Sequence, residues 1–372
     1  MRYYLIAGEA SGDLQGAALI EALKQHDPQA EFRFWGGDLM AQASGSLPVV
    51  HQKERAFMGL WEVISHLGTI RRHLKLCKQD IQAWKPDVVV PVDHPGFNMR
   101  MAAFAKKQGF KVAYFIAPKA WAWKKKRAFT LARNTDIVLS ILPFEPSFFK
   151  SYKVAIRYVG NPLWDKISVF QPNPVFPSVH GFKKPVIALL PGSRMQEITR
   201  ILPSMLEAAL RLDGYEVAIA CAPDFKPEFY QSFLSLGKKI HLLHGETYQL
   251  LAHAKVALVT SGTATLETAL LGCPQVVCYR TSGLTYLAAR LILKIRYISL
   301  VNIIMDREVV PERIQERMSA NMLEQDLKEL LSGPRADKMT VDYQELRKMM
   351  GSTGAAERAA IEIIGLFRNF KN

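Results

Sequence analysis

A carboxylate and an imidazole, Asp93 and His94, directly follow the apolar run DVVVPV at residues 87–92. A run this apolar predicts a strand buried on both faces, so both side chains are expected at the end of a strand. There the Asp93 carboxylate could take a proton as a general base, or it could accept backbone hydrogen bonds as an ordinary turn residue. The residue types and their position leave both interpretations open.

A second candidate loop is AGEASGD at residues 7–13, between an apolar run and a helical pattern. Its glycines permit close approach of a ligand to the backbone, but the spacing is not G-x-G-x-x-G, so dinucleotide binding is unsupported. The carboxylates of Glu9 and Asp13 would repel phosphate and suit a sugar hydroxyl better. The alternative is a plain strand-to-helix turn in which Ser11 or Asp13 caps the helix.

A third loop, LLPGSRMQEI at residues 189–198, has the residue types of a diphosphate site. Gly192 would let backbone amides face a ligand, Ser193 can donate a hydrogen bond, and Arg194 carries a forked guanidinium that suits phosphate. The alternative is an ion pair between Arg194 and Glu197 on the same helix. We favour the diphosphate site because ligands of parallel sheets bind where strands lead into helices.

A fourth loop, TSGTATLETALLG at residues 260–272, offers hydroxyls, a glycine and a helix start. Ser261, Gly262 and Thr263 therefore suit phosphate as well. Glu267 lies about one turn further along, where its carboxylate could accept both ribose hydroxyls of a nucleotide. A capping box with Thr263 is the alternative, which the four-residue spacing disfavours.

A weaker candidate is SLVNIIMDREVVPE at residues 299–312. Asn302, Glu308 and Glu312 have side chains that could hydrogen-bond a sugar or a base. Without the other loops, this stretch would indicate little.

An amphipathic segment, FMGLWEVISHLGTIRRHLKL at residues 57–76, mixes bulky apolar side chains with a basic end. A helix that faces the core is the usual explanation, but a helix lying in a membrane interface fits too. In the second case the membrane or acyl contacts are Phe57, Met58, Leu60, Trp61, Ile64 and Leu67. A second mixed stretch, WAWKKKRAFTLARN at residues 121–134, suits nucleic acid, anionic lipid or substrate phosphate, or is solvated surface charge.

Composition narrows the classes of function only in part. Lys and Arg outnumber Asp and Glu by 48 to 34, giving a net charge of +14 that suits nucleic acid, anionic membranes or phosphorylated substrates. Four scattered cysteines without a C-x-x-C pair, and nine ungrouped histidines, predict no catalytic metal and no zinc site. The start of the chain does not resemble a signal peptide, and no apolar run reaches the roughly 18 residues of a spanning helix.

The elements that must position these loops follow a βαβα rhythm. Five apolar runs before residue 150, and five after residue 185, predict two parallel sheets covered by helices. The proline-rich stretch at residues 160–185 is interpreted as an interdomain linker. We predict an N-terminal Rossmann-like domain over residues 1–165, a C-terminal one over residues 180–344, and helices over about 345–372 that pack back on the first. Ligands should bind in a crevice beyond the carboxyl ends of the strands.

The ordered set of motifs resembles the lipid-A-disaccharide synthase family. The matching stretches are AGEASGD, MGLWEV, PDVVVPVDHPGFN, WAWKKKR, LLPGSR, SGTATLE, YRTS and SLVNII with REVVPE, and they cover nearly the whole chain. Each motif alone is weak, whereas their order is highly specific. The resemblance implies the glycosyltransferase-B fold, in which two Rossmann-like doubly wound domains face a central crevice.

The resemblance also implies a reaction. UDP-2,3-diacylglucosamine would donate its sugar to 2,3-diacylglucosamine 1-phosphate, with inversion and without a metal or other cofactor, giving lipid A disaccharide 1-phosphate and UDP. The N-terminal domain would take the acceptor and the membrane, and the C-terminal domain the UDP-sugar. The family works at the cytoplasmic face of the inner membrane of Gram-negative bacteria, so the implied partners are the two lipid substrates, a lipid surface and a second copy in a homodimer, with no nucleic acid.

The family pattern assigns roles to two residues and leaves one question. Asp93 matches the aspartate thought to act as the base, and Arg194 matches an important arginine. The family commonly carries a second aspartate two residues before the asparagine of its D-x-P-D-F-N pattern, where this chain has Gly96. That carboxylate is either dispensable, or its role has moved to Glu9 or His94.

Two further classes of function remain as alternatives. One is a UDP-sugar epimerase, or a glycosyltransferase with a soluble acceptor, on the same fold. The other is a non-catalytic lipid-binding protein of the membrane surface, which would leave both phosphate loops unexplained.

Overall fold

The computed structural model describes residues 1–55, 67–234, 240–283, 286 and 296–368. These residues form two compact units. Unit 1 comprises Met1–Asp165 and Ser352–Asn372, and unit 2 comprises Lys166–Gly351.

Unit 1 is built on a parallel sheet of six strands in the order β2-β1-β3-β4-β5-β6. The strands are β1 (Arg2–Ala7), β2 (Glu31–Trp35), β3 (Val88–Val92), β4 (Lys111–Phe115), β5 (Ile137–Ser140) and β6 (Ile156–Tyr158). The helices are α1 (Ala10–His26), α2 (Asp38–Ser44), α3 (Leu67–Trp84), α4 (Pro95–Lys107), α5 (Lys126–Asn134), α6 (Glu145–Lys150) and, at the end of the chain, α16 (Ala355–Arg368), with a 3₁₀ turn at Gln52–Arg55.

Helices cover both faces of this sheet, because alternate side chains of each strand point to opposite faces. Tyr3, Leu5 and Ala7 of β1 pack in the same cluster as residues of α1 and α16. Tyr4 and Ile6 of the same strand pack in the opposite cluster, with residues of α3, α4 and α5. The continuous apolar runs of the sequence are therefore explained by burial on both sides.

Unit 2 repeats the architecture with the strand order β12-β11-β10-β7-β8-β9, again all parallel. The strands are β7 (Val186–Leu190), β8 (Glu216–Cys221), β9 (Ile240–His244), β10 (Ala254–Thr260), β11 (Gln275–Tyr279) and β12 (Glu312–Ile314). The helices are α7 (Pro162–Ser168), in which the chain passes from unit 1, α8 (Phe176–Val179), α9 (Met195–Leu210), α10 (Pro227–Gln231), α11 (Thr247–His253), α12 (Thr263–Leu271), α13 (Leu300–Met305), α14 (Ala320–Ser332) and α15 (Arg335–Met350), with a 3₁₀ turn at Gln315–Arg317.

The ten strands predicted from apolar runs correspond to β1–β5 and β7–β11, so the expected α/β class with two parallel sheets is confirmed. The edge strands β6 and β12 were missed. Within the described ranges, no helix has both the length and the apolar character needed to cross a membrane.

Candidate active site

Each sheet has one switch point. There, two adjacent parallel strands are each followed by a connection that runs toward a different edge of the sheet. In unit 1 this point lies between β1 and β3, with Ala7 opposite Val92. The loops that follow these strands carry Glu9 and the pair Asp93–His94. Residues 84 or more positions apart in the sequence therefore meet at one edge of the sheet.

Asp93 and His94 both adopt left-handed backbone conformations, with φ of 46° and 43°. For residues other than glycine this conformation costs about 1–2 kcal/mol each. The turn is held through the Asp93 carbonyl, which accepts hydrogen bonds from the Tyr114 hydroxyl at 2.7 Å and the Asn98 amide at 2.9 Å. Strain of this kind clusters at functional sites, where the surrounding structure maintains it.

The Asp93 carboxyl is half-buried, and burial raises its pKa above the usual value. The positive charge of Lys119 and the backbone amide of His94 oppose that rise. A carboxylate whose pKa is raised by burial is a stronger base than an exposed one. The electrostatics therefore suit proton abstraction.

Glu9 and His94 contact each other directly, with 3.2 Å between Glu9 Oε1 and His94 Nδ1. The space between the two loops is filled by the imidazole, since a Cβ placed on Gly8 would lie 2.5 Å from His94 Cγ. Gly8 is thus required by close packing. Glu9 is 69% exposed, so the pair adds little to stability but orients the imidazole beside Asp93.

Two neighbouring positions have other roles. The buried Asp13 carboxylate accepts backbone hydrogen bonds from Gly37 at 2.6 Å and from Met40 at 3.2 Å, so it caps α2 rather than its own helix. Gly96 is exposed in the first turn of α4, and a Cβ there would meet no atom within 4 Å. A side chain could therefore begin at Gly96 without a clash at its Cβ.

In unit 2 the switch point lies between β7 and β10, and a cavity of about 480 Å³ opens there. The cavity is lined by most of the residues predicted from the sequence for UDP. These are Gly192, Ser193, Arg194, Ser261, Gly262, Thr263 and Glu267. Two loops separated by some 70 residues are thus brought together on one concave surface.

The loop after β7 depends on glycine. Gly192 has a φ of +107°, and a Cβ on it would lie 2.7 Å from Glu197 Oε2. Arg194 does form the predicted alternative pair with Glu197, at 3.4 Å between Nη1 and Oε1, although its side chain is 74% exposed. An exposed pair of this length is worth less than about 1 kcal/mol, so it leaves the guanidinium free to bind an anion.

The loop after β10 presents the first turn of α12 to the cavity. Gly262 precedes that turn, Thr263 begins it and both line the cavity, so the start of a helix, which favours anions, borders the ligand space. The Ser261 hydroxyl donates to the carbonyl of Ile298 at 3.0 Å and can still accept a hydrogen bond. Glu267 lies on the cavity wall, where its carboxylate accepts the Tyr248 hydroxyl at 2.8 Å.

The structure does not bring Asn302 or Glu308 to the described lining of that cavity. Asn302 is fully buried, and its amide bonds the backbone of Val310 and the carboxylate of Glu312. Glu308 is exposed and lies 3.5 Å from Arg335. The Glu312 carboxylate accepts backbone hydrogen bonds from residues 298 and 299, so these polar residues brace the turn before α13.

Sequence reasoning missed several contributors to the cavity, among them residues 220–223 at the end of β8. Thr247, at the start of α11, lines it, and Tyr248 holds Glu267. Both follow β9 after Gly245 and Glu246, and the position of a polar residue after a strand was the signal available. The apolar contacts predicted at Phe57, Met58, Leu60, Trp61 and Ile64 lie outside the described residues, as does the side chain of Leu67.

Two parallel doubly wound sheets, each with a candidate site at its switch point, define the glycosyltransferase-B class. Solved structures support that class. A UDP-N-acetylglucosamine 2-epimerase from Listeria monocytogenes matches with a TM-score of 0.64 at 15% identity, covering 99% of this chain and 96% of that one. The glycosyltransferase of kitacinnamycin matches with a TM-score of 0.63 at 13% identity, covering 98% of each chain.

Sequence comparison identifies the family. Residues 3–363 match the family model described as lipid-A-disaccharide synthetase. The lipid-A-disaccharide synthase of Myxococcus xanthus is 38% identical, covering 98% of this chain and 97% of the relative, and that of Syntrophus aciditrophicus is 36% identical with the same coverage. The chain belongs to the lipid-A-disaccharide synthase family, and it is a glycosyltransferase of lipid A biosynthesis. The family and fold implied by the motifs are confirmed.

Proposed function

We propose that this enzyme joins UDP-2,3-diacylglucosamine to 2,3-diacylglucosamine 1-phosphate. The acceptor 6-hydroxyl attacks the anomeric carbon, and its proton passes to the Asp93 carboxylate. The bond from that carbon to the diphosphate breaks as the new glycosidic bond forms, so UDP leaves with the electron pair and the configuration inverts. The products are the lipid A disaccharide 1-phosphate and UDP.

The cavity of unit 2 is the observation that supports a binding site for the UDP-sugar donor. Without a metal, charge that develops on departing UDP must be stabilised by cations and amides. Arg194 supplies a cation and the first turn of α12 supplies amides, and both line one cavity. Glu267, fixed by Tyr248, is the acceptor that a ribose would require. We therefore assign the UDP-sugar to unit 2.

The binding site for the acceptor sugar is inferred from unit 1. A strained turn holds Asp93, and burial raises the pKa of its carboxyl. The loops after β1 and β3 carry Glu9 and Asp93, whose carboxylates would repel the diphosphate of a nucleotide. We assign the acceptor to unit 1 and propose that residues 57–67 contact acyl chains and the membrane surface, which makes the enzyme a peripheral membrane protein.

The test is one assay with both lipid substrates in neutral detergent. Disaccharide 1-phosphate and UDP should appear in equal amounts. UDP without disaccharide, or an epimerised UDP-sugar without acceptor consumption, would instead support the epimerase alternative. No product across pH and detergent conditions would overturn the proposal.

Substitutions then test the roles. Asp93→Asn should lower kcat about 100-fold or more and leave UDP affinity near normal, because only the base is removed. Asp87→Asn is the matched control, since Asp87 precedes the same strand at its opposite end and bonds the amide of Arg2. Arg194→Ala should weaken UDP binding as well as turnover, with Arg200→Ala on the same helix as its control.

A further inference from the structure

Positive charge in unit 1 is concentrated in one part of the chain. The 42 residues between Asp93 and Asp136 contain ten Lys and Arg and no Asp or Glu. Strands and helices in this stretch alternate, so its two sets of loops lie at opposite ends of the sheet. The cations are therefore divided between those two ends.

At the amino end of the strands two of the cations share one carboxylate. Lys106 and Lys111 lie 2.7 Å and 3.3 Å from the Asp136 carboxylate. At the carboxyl end the situation differs. Lys119 and the consecutive residues Lys124–Arg127 have no carboxylate partner within ion-pair distance among the residues that the structure describes.

These cations belong to the edge that carries the candidate base. They lie on the loop after β4 and at the start of α5, and β4 pairs with β3 so that Phe115 is opposite Val92. The Lys119 charge acts on the Asp93 carboxyl and lowers its pKa against the effect of burial. The Arg127 charge acts on Tyr114, whose hydroxyl bonds the Asp93 carbonyl.

An aromatic platform holds two of the cations side by side. Trp123 is 45% exposed, and its ring lies 4.0 Å from Lys124 Nζ and 5.2 Å from Arg127 Cζ. Two residues earlier Trp121 points the other way, where its Nε1 donates to the buried Glu145 carboxyl at 3.1 Å. The loop is thus anchored at Trp121, and the exposed indole of Trp123 is presented beside two cations.

The chemistry of such a surface is specific. A half-exposed aromatic ring can pack against the apolar face of a sugar, and adjacent cations without carboxylate partners bind a phosphate through charge-assisted hydrogen bonds. C1 and C5 of a glucosamine ring are both bonded to the ring oxygen, so the 1-phosphate and the 6-hydroxyl lie within one sugar ring of each other. A sugar whose 6-hydroxyl is activated at Asp93 therefore has its phosphate within reach of a neighbouring loop.

We infer that Lys124 and Arg127, with Lys119 and the Trp123 ring, bind the phosphate monoester of the acceptor sugar. This inference rests on the proposed function, because it presupposes a phosphorylated acceptor in unit 1. The phosphate of an anionic lipid headgroup has the same chemistry and is the competing source. If the cations bind the acceptor phosphate, they affect the kinetics even when no anionic bilayer is present. If they bind lipid headgroups, they do not.

The experiment uses the full chain in neutral detergent micelles and measures steady-state kinetics with two acceptors, the 1-phosphate and the same diacylated sugar without phosphate. Lys124→Gln and Arg127→Gln should each raise the KM for the phosphorylated acceptor about 10-fold, because each removes a charge-assisted contact. The donor KM should not change, and kcat should fall by less than about threefold. With the acceptor that lacks phosphate, the variants should equal the wild type.

Arg133→Gln is the matched control, since it removes an exposed cation from the other end of α5 and should leave every parameter unchanged. Arg127→Lys should recover most of the affinity. Equal losses with both acceptors would overturn the inference and indicate a purely structural role. So would a normal acceptor KM in micelles combined with lost binding to phosphatidylglycerol vesicles, which would assign the cations to lipid headgroups. Wild-type activity with unaffected variants would overturn this inference alone and leave the proposed function intact.

Discussion

Glu145 is a buried carboxyl group that the proposed reaction does not use directly. It begins α6 with 1% of its surface exposed, and it accepts hydrogen bonds from Trp121 Nε1 at 3.1 Å and from the Leu142 amide at 3.3 Å. Burial raises its pKa to about 8, against the opposing effects of Trp121, the backbone amides and the Lys119 charge. At neutral pH most copies of the folded enzyme therefore carry a proton on this group.

The raised pKa of Glu145 makes the folded state less stable as the pH rises. An unfolded chain releases this proton near pH 4.5, whereas the folded chain releases it near pH 8. Between those values the folded state holds one more proton, so the free energy of unfolding falls by about 1.4 kcal/mol for each pH unit. The contribution is complete below pH 4.5, is lost as pH rises through 8, and then stays constant. Over the whole window it amounts to a few kcal/mol.

Glu145→Gln keeps an oxygen acceptor for Trp121 but cannot ionise. The variant should therefore lose this part of the dependence of the free energy of unfolding on pH. The melting temperature of the variant minus that of the wild type should rise steadily from pH 5 to pH 8 and then level off. Each kcal/mol corresponds to about 2–4 °C for a unit of this size. Differential scanning calorimetry of the full chain at closely spaced pH values measures the difference, and Glu21→Gln on the exposed face of α1 controls for the change in net charge. A difference that stays flat from pH 5 to pH 9 would refute the buried, protonated state of Glu145.

Three further substitutions test the close contacts of the two sites. Gly192→Ala places a Cβ 2.7 Å from Glu197 Oε2 at a φ of +107°, so UDP affinity by calorimetric titration should fall about 10-fold or more; unchanged affinity would show that the loop adapts. Gly8→Ala places a Cβ 2.5 Å from His94 Cγ, so kcat should drop about 10-fold with normal UDP binding, and a wild-type kcat would remove the imidazole from the site. Gly96→Asp adds a Cβ that meets no atom within 4 Å, so the melting temperature should stay within about 2 °C and kcat within about threefold. A much higher kcat would contradict the expectation that a second carboxylate at this position is dispensable.

Strands buried on both faces were predictable from sequence, because runs such as Val88–Val92 of β3 and Val256–Val259 of β10 are apolar throughout. Two of the four edge strands, β6 and β12, were not. Residues Ile156–Tyr158 and Glu312–Ile314 contain charged residues and are only partly buried, since each strand has a neighbour on one side. Their backbone hydrogen bonds, rather than any apolar pattern, define them as strands.

Polar residues in loops were the hardest to assign. Asn302 and Glu312 have the side chains expected of a sugar site, yet Asn302 bonds Val310 and Glu312 bonds the amide of Ser299. A buried backbone requires such partners as strongly as a ligand does. Residue type cannot separate the two demands, because the same amide and carboxylate satisfy both.

Loops act together when the strands that precede them are adjacent in the sheet. Adjacency follows the order of strands in the sheet, not their order in the chain. The sequence places a loop after every strand, but only the return of the chain from β9 to β10, beside β7, brings Arg194 and Thr263 to one cavity. In the same way β3 returns to lie beside β1, and His94 meets Glu9. The chemistry that a loop can perform therefore depends on which other loop the sheet topology places beside it. For this reason the isolated turn at Asp93 remained ambiguous, whereas the strained turn against β1 and β4 suits a base.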